Sequence, residues 1–139
     1  MRIKKLFLRQ WIPTVVVLIF GLSLALPVAA YERQMNRENM VSVDVVPIAL
    51  VLGKPVKFEV RMNTHSVSLD QNIVDISILK DDFGQEYLPV NWNGSPAGGH
   101  HRSGVLEFPL LKGNPSSVAL VIQDIANVPE RIFKWKIAP

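Results

Sequence analysis

The chain predicts an all-β protein: an immunoglobulin-like antiparallel β-sandwich of about seven strands, preceded by an N-terminal hydrophobic signal or anchor helix. Three observations carry that prediction. Beyond residue 40, apolar and polar residues alternate with a period of two in several short runs, the signature of half-buried strands. Turn-forming residues separate these runs, roughly every eight to twelve positions. The 20 residues 11–30, "WIPTVVVLIFGLSLALPVAA", carry no charge, about the length a helix needs to cross a bilayer.

Arg2, Lys4, Lys5 and Arg9 form a basic head before the apolar run. Lys and Arg on one flank of such a run hold that flank in the cytoplasm. The rest of the chain is therefore expected outside, on the outer side of a bacterial cytoplasmic membrane. Two outcomes stand at the boundary. Val28 and Ala30 are small residues at the −3 and −1 positions for cleavage after Ala30, as a signal peptidase requires. The short stretch between Pro13 and Pro27 also suits a signal peptide. Against cleavage, Trp11 and Tyr31 bracket the run like the interfacial aromatics of a retained anchor. Residues 1–30 are thus a signal peptide or a transmembrane anchor, and the domain is membrane-tethered or secreted.

There is no cysteine, which excludes a lipidated cysteine, a disulfide and a thiolate site. Of 15 Lys and Arg, four lie in the basic head, leaving 11 against 12 Asp and Glu, a balance of −1. The basic character belongs mostly to the leader. A phosphate-binding surface needs clustered cations on the folded domain, so nucleic acid is not an expected partner.

The remaining elements follow in order. Residues 31–40, "YERQMNRENM", are polar and aperiodic and read as a stalk. Residues 41–139 suffice for one domain with a single core. "VSVDVV" (41–46) opens it. In "VKFEVRM" (56–62), Val56, Phe58, Val60 and Met62 face one way and Lys57, Glu59 and Arg61 the other. "NIVDISIL" (72–79) behaves similarly, and 86–90 and 105–108 are shorter candidates. "SVALVIQ" (117–123) is apolar on both faces, as a central strand would be. "RIFKWKI" (131–137) closes the chain with Phe133, Trp135 and Ile137 alternating against lysines.

Turn chemistry lies between the runs at Gly53-Lys54-Pro55, 81–84, Gly113-Asn114-Pro115 and Asn127-Val128-Pro129. The short 81–84 connection predicts a hairpin, with Asp81 and Asp82 at a solvated tip. A small open barrel is the rival architecture. Without an inter-sheet disulfide, apolar burial must hold the sheets together, with Phe58, Phe108, Phe133 and Trp135 as the core candidates.

Asn63-Thr64-His65-Ser66, Trp92, "GGHHRSG" (98–104) and Val128-Pro129-Glu130-Arg131 with Phe133 and Trp135 form a pattern. It resembles a group of bacterial extracytoplasmic proteins with a signal or anchor followed by one β-rich domain. The resemblance covers most of the chain after residue 40. It implies location and fold, and supplies no catalytic residue.

Three readings compete at the histidines. His65, His100 and His101 are all expected in loops, where rigid scaffolds display binding groups. Imidazoles suit copper or zinc, and Gly98-Gly99 would let the backbone turn both neighbouring histidines inward. Met62 and Asp70 are additional candidate ligands. The spacing matches no closed zinc motif, and a solvated loop explains the same residues. Alternatively, backbone N–H groups of Gly98 and Gly99, together with the Arg102 fork, would suit a carboxylate or phosphate. Ser66 and Ser103 lie near histidines, and Asp70 and Asp124 could orient a base. No G-x-S-x-G elbow accompanies them, so no enzyme is expected. Trp92 is either an exposed anchor for a protein partner or sugar, or a lid whose indole N–H meets a carbonyl. Glu130-Arg131 is expected to fix entry into the last strand, with an ion pair. The function these residues favour is a non-enzymatic accessory or interaction module outside the cytoplasm, with a periplasmic copper- or zinc-binding protein as the alternative.

Overall fold

The computed structural model describes residues 30–138. The basic head and all but the last residue of the apolar run, and with them the signal-or-anchor helix, lie outside the described residues. Among the described residues no helix is long and apolar enough to cross a membrane.

The described strands in chain order are β1 (Gln34–Glu38), β2 (Val41–Ala49), β3 (Pro55–Thr64), β4 (Ser77–Asp81), β5 (Glu86–Tyr87), β6 (Asn91–Gly94), β7 (His101–Leu110), β8 (Ser117–Ile125) and β9 (Val128–Lys136). They build two antiparallel sheets, ordered β1-β2-β3-β7-β6 and β5-β4-β8-β9. The described residues are all-β and sandwich-like, as the period-two pattern requires. Nine strands stand where about seven were expected.

Alternation decides what is buried. Val56, Phe58, Val60 and Met62 of β3 are at most 1% exposed. Leu120 and Ile122 of β8 and Phe133 of β9 meet them from the other sheet. Phe58 packs edge-on to Phe108, with ring centroids 5.9 Å apart, and lies 5.2 Å from Trp135 across the sheets. Apolar contacts of this kind join the layers in a chain without cysteine.

The polar stretch 31–40 is not a free stalk. It supplies β1, paired in register with β2 from Gln34↔Val45 to Glu38↔Val41. Its inward groups are hydrogen-bonding rather than apolar. The Gln34 amide donates to the Lys134 carbonyl and accepts from the Lys134 N–H, so a side chain stands in for a ladder partner along β9. The Trp135 indole donates to the Glu32 carbonyl at 2.8 Å. The Tyr31 hydroxyl donates to the Leu50 carbonyl and accepts from the Ala138 N–H.

Other boundaries shift for local reasons. Residues 72–76 turn instead of extending, because Asn72 caps the Val74 and Asp75 amides. The 81–84 hairpin forms, pairing Leu79 with Tyr87, but Asp81 is not at a solvated tip. It is 8% exposed, accepting from the Phe83 and Gln85 amides and the Tyr87 hydroxyl. Pro89, with no N–H to give a ladder, separates β5 from β6.

These pairings define two ends. Tyr31, Leu50, the β2–β3 turn, the β4–β5 turn and Ala138 gather at the near end. The β1–β2 turn, the segment after Thr64, the start of β7 and the β8–β9 turn gather at the far end. The 10 residues of β3 separate the ends by about 30 Å, at roughly 3.3 Å per residue.

Candidate functional site

The far end assembles the residues that the sequence singles out. Asn63 of β3 stands opposite His101, the first residue of β7, so His101 begins a strand rather than sitting in a loop. Two loops are then zipped together. Thr64 N–H donates to the His100 carbonyl, Leu69 N–H to the Gly99 carbonyl, and Gly98 N–H to the Leu69 carbonyl, all within 2.8–2.9 Å. Gly98 and Gly99 adopt φ of 107° and 73°, a region open mainly to glycine. The Gly98 N–H is spent on this zipper and does not face an anion.

Arg102 completes the zipper from inside. It is 4% exposed, and its Nη1 donates to the Leu69 and Gln71 carbonyls at 2.9 and 2.7 Å. Burial lowers its pKa, against an opposing pull from Asp70. The expected anion fork is a positioning clamp, because a carbonyl-rich loop needs a buried donor that reaches two acceptors. Arg131 plays the same part nearby, 1% exposed. It donates to the Asn36 amide oxygen and to the Glu38, Val41 and Ile125 carbonyls. Its partners are an amide and carbonyls rather than the expected carboxylate, and burial lowers its pKa too.

Two of the three histidines come together. The His65 and His101 rings lie 5.9 Å apart between centroids at 75°, both exposed. His101 Nδ1 is 3.0 Å from Asn63 Oδ1. In the neutral tautomer protonated at Nδ1, this contact is a hydrogen bond to the amide oxygen and Nε2 is the nitrogen left to act as a ligand. His100 contributes its carbonyl to the zipper. Among the described residues no group of three or more His, Asp or Glu side chains stands in ligand geometry. Met62 is not beside the histidines but in the core, 1% exposed. Asp70 accepts from the Ser68 hydroxyl at 2.6 Å.

Beside this pair, the outward face of the five-stranded sheet is a polar ladder. One row reads Arg37, Ser42, Asn63 and His101, and the next Met35, Asp44, Arg61 and Ser103. Glu59, Arg61, Asn63, His101 and Ser103 line a groove of about 450 Å³, and a second of about 410 Å³ opens on the other side of Asn63 toward Asp44 and His65. Asp44 Oδ1 is buried without a hydrogen-bond partner. The face thus offers two grooves lined by amide, imidazole, hydroxyl and mixed-charge side chains to a polar ligand. Asn63, Asp44 and Arg61 carry much of it, although only their place on the polar side of alternating strands distinguishes them in the sequence.

Trp92 points inward from β6. Its indole covers the cross-strand pair Gly94↔Gly104, where a Cβ on either glycine would stand 2.8 Å from Trp92 Cζ2. Its N–H donates to the Ser95 carbonyl at 2.8 Å. Among the described residues no serine hydroxyl is bonded to an imidazole; Ser66 uses its amide on Thr64, and Ser103 pairs with Ser95. Comparison with known family models, curated proteins and solved structures returns no match.

Proposed function

We propose that the chain is a non-enzymatic, immunoglobulin-like accessory or interaction module held outside a bacterial cytoplasmic membrane, or secreted if cleaved after Ala30. Its ligand, a polar surface of a protein partner, binds the outward face of β1, β2, β3 and β7 at the far end. The observation that carries this reading is the polar ladder around Asn63, with its two grooves. The resemblance noted in the sequence supports the location. A photo-crosslinker replacing Arg61 in the full chain should capture one specific partner in native membranes. The same group replacing Lys134, on the outer face of the other sheet, should not. Equal capture from both positions, or none from Arg61, contradicts the reading.

The His65–His101 pair favours a second reading, a transition-metal site for copper or zinc. Zinc–nitrogen bonds are about 2.0–2.1 Å, and the 5.9 Å ring separation fits two imidazoles on one ion. Asn63 would fix the His101 tautomer as an outer-shell partner does. Titration of the full chain with Cu(II) and Zn(II) tests it. Stoichiometric binding that disappears in His65→Ala and His101→Ala but survives in His100→Ala supports this site, and binding indifferent to all three rejects it.

A further inference from the structure

The near end combines three features that the far end lacks. Val51, Phe83, Leu88 and Leu110 are each at least half exposed there, Phe83 most of all at 71%. Their positions follow from the pairings. Val51 succeeds Leu50, whose carbonyl holds Tyr31. Leu110 pairs with Pro55 beside the same turn. Phe83 caps the β4–β5 turn, whose Asp82 binds Ser116, which in turn pairs with Ile137 next to Ala138. Leu88 follows Tyr87, which pairs with Leu79 two residues in from the near end of β4 and whose hydroxyl accepts from the Lys112 amide. Exposed Lys54 and Lys112 stand among them. At the far end, Met40 is the counterpart among the large exposed apolar side chains.

The second feature is the absence of slack. The uncharged run of residues 11–30 ends one residue before Tyr31. Tyr31 is pinned to Leu50 and Ala138, Glu32 to Trp135, and β1 begins at Gln34. Consecutive Cα atoms are about 3.8 Å apart, so nothing separates the run from the folded domain. The third feature is composition: Phe, Leu and Val beside Lys suit the boundary between lipid headgroups and acyl chains.

We infer that the near end of the sandwich is a membrane-seating surface, with Val51, Phe83, Leu88 and Leu110 dipping into the interfacial layer of the bilayer and Lys54 and Lys112 meeting anionic headgroups. This rests on the membrane-tethered form of the proposed function. It goes beyond tethering, because it fixes the domain's orientation and directs the Asn63 face away from the lipid.

The absence of native cysteine makes the test clean. Phe83→Cys, Leu88→Cys and His65→Cys are each introduced singly in the full chain, spin-labelled, and reconstituted into phosphatidylcholine vesicles containing phosphatidylglycerol. Flotation reports insertion; collision with lipid-soluble oxygen and with an aqueous nickel chelate reports depth. Labels at 83 and 88 are expected to lose nickel access and gain oxygen access on reconstitution, while the label at 65 stays aqueous. Removing phosphatidylglycerol should partly restore nickel access at 83. A chain that floats with all three labels equally aqueous overturns the inference and leaves tethering intact. A chain that does not float removes both. Spin–spin broadening at 83 and 88 in lipid-free detergent, rising with protein concentration, assigns the surface to a second copy of the chain and also overturns the inference.

Discussion

The two ends of the sandwich are closed by opposite chemistry. At the far end two buried arginines reach outward and donate to loop carbonyls: Arg102 to residues 69 and 71, Arg131 to residues 38, 41 and 125. At the near end tyrosines and carboxylates do the work, with Asp81, Asp82 and the Tyr31 and Tyr87 hydroxyls accepting backbone N–H groups. A guanidinium offers five donors from one stem, so it can tie several carbonyls from inside. The far end's outer surface is left free for Asn63, His65 and His101. The near end, tied from its turns, leaves apolar side chains outermost. Placement of the ties determines what each end can present.

The comparison depends first on the core that both ends share. Phe58→Ala is expected to cost about 3–5 kcal/mol, read from urea midpoints, and to weaken both ends together. A smaller loss than Arg131→Met would show that the ends stand without their common layer. Arg131→Met should cost about 2–4 kcal/mol, because it strands carbonyls of two hairpins at once. Arg102→Met should cost less, about 1–3 kcal/mol, because it frees carbonyls of one loop. Its amide exchange should rise in residues 65–71 and 95–100 while the near end is unchanged. Faster exchange at the near end would break the separation of the two.

The smallest effect concerns acid. The Ser116 hydroxyl holds the Asp82 carboxyl below its usual range. A lowered folded-state pKa stabilises the protein above about pH 4, and that contribution fades as falling pH protonates the group. Asp82→Ala should therefore lower stability slightly at pH 7 and leave it unchanged at low pH, so that the acid limb of the stability curve flattens. An unchanged acid limb would show that this near-end tie carries no weight.

Much of this frame is legible in the amino-acid order, and the illegible parts share a cause. β3, β8 and β9 announce themselves because their buried faces are apolar. β1 does not, because its inward Gln34 and Asn36 serve as hydrogen-bond partners to Lys134 and Arg131, and polar residues without periodicity read as a stalk. Arg102 reads as an anion fork and Arg131 as an ion-pair partner for the same reason: their partners are mostly carbonyls, which every residue carries. The His65–His101 pairing depends on the Asn63↔His101 register, which comes from strand order and not from spacing. The adjacent histidines draw the eye, yet the pair that meets is the one separated in sequence.

Every reading above depends on the domain lying outside the cytoplasm. The most direct measurement places a single cysteine at His65 in the full chain and treats intact spheroplasts with a membrane-impermeant maleimide. Modification to the same extent before and after lysis is the predicted result. Modification only after lysis would put the Asn63 face on the cytoplasmic side and contradict the account.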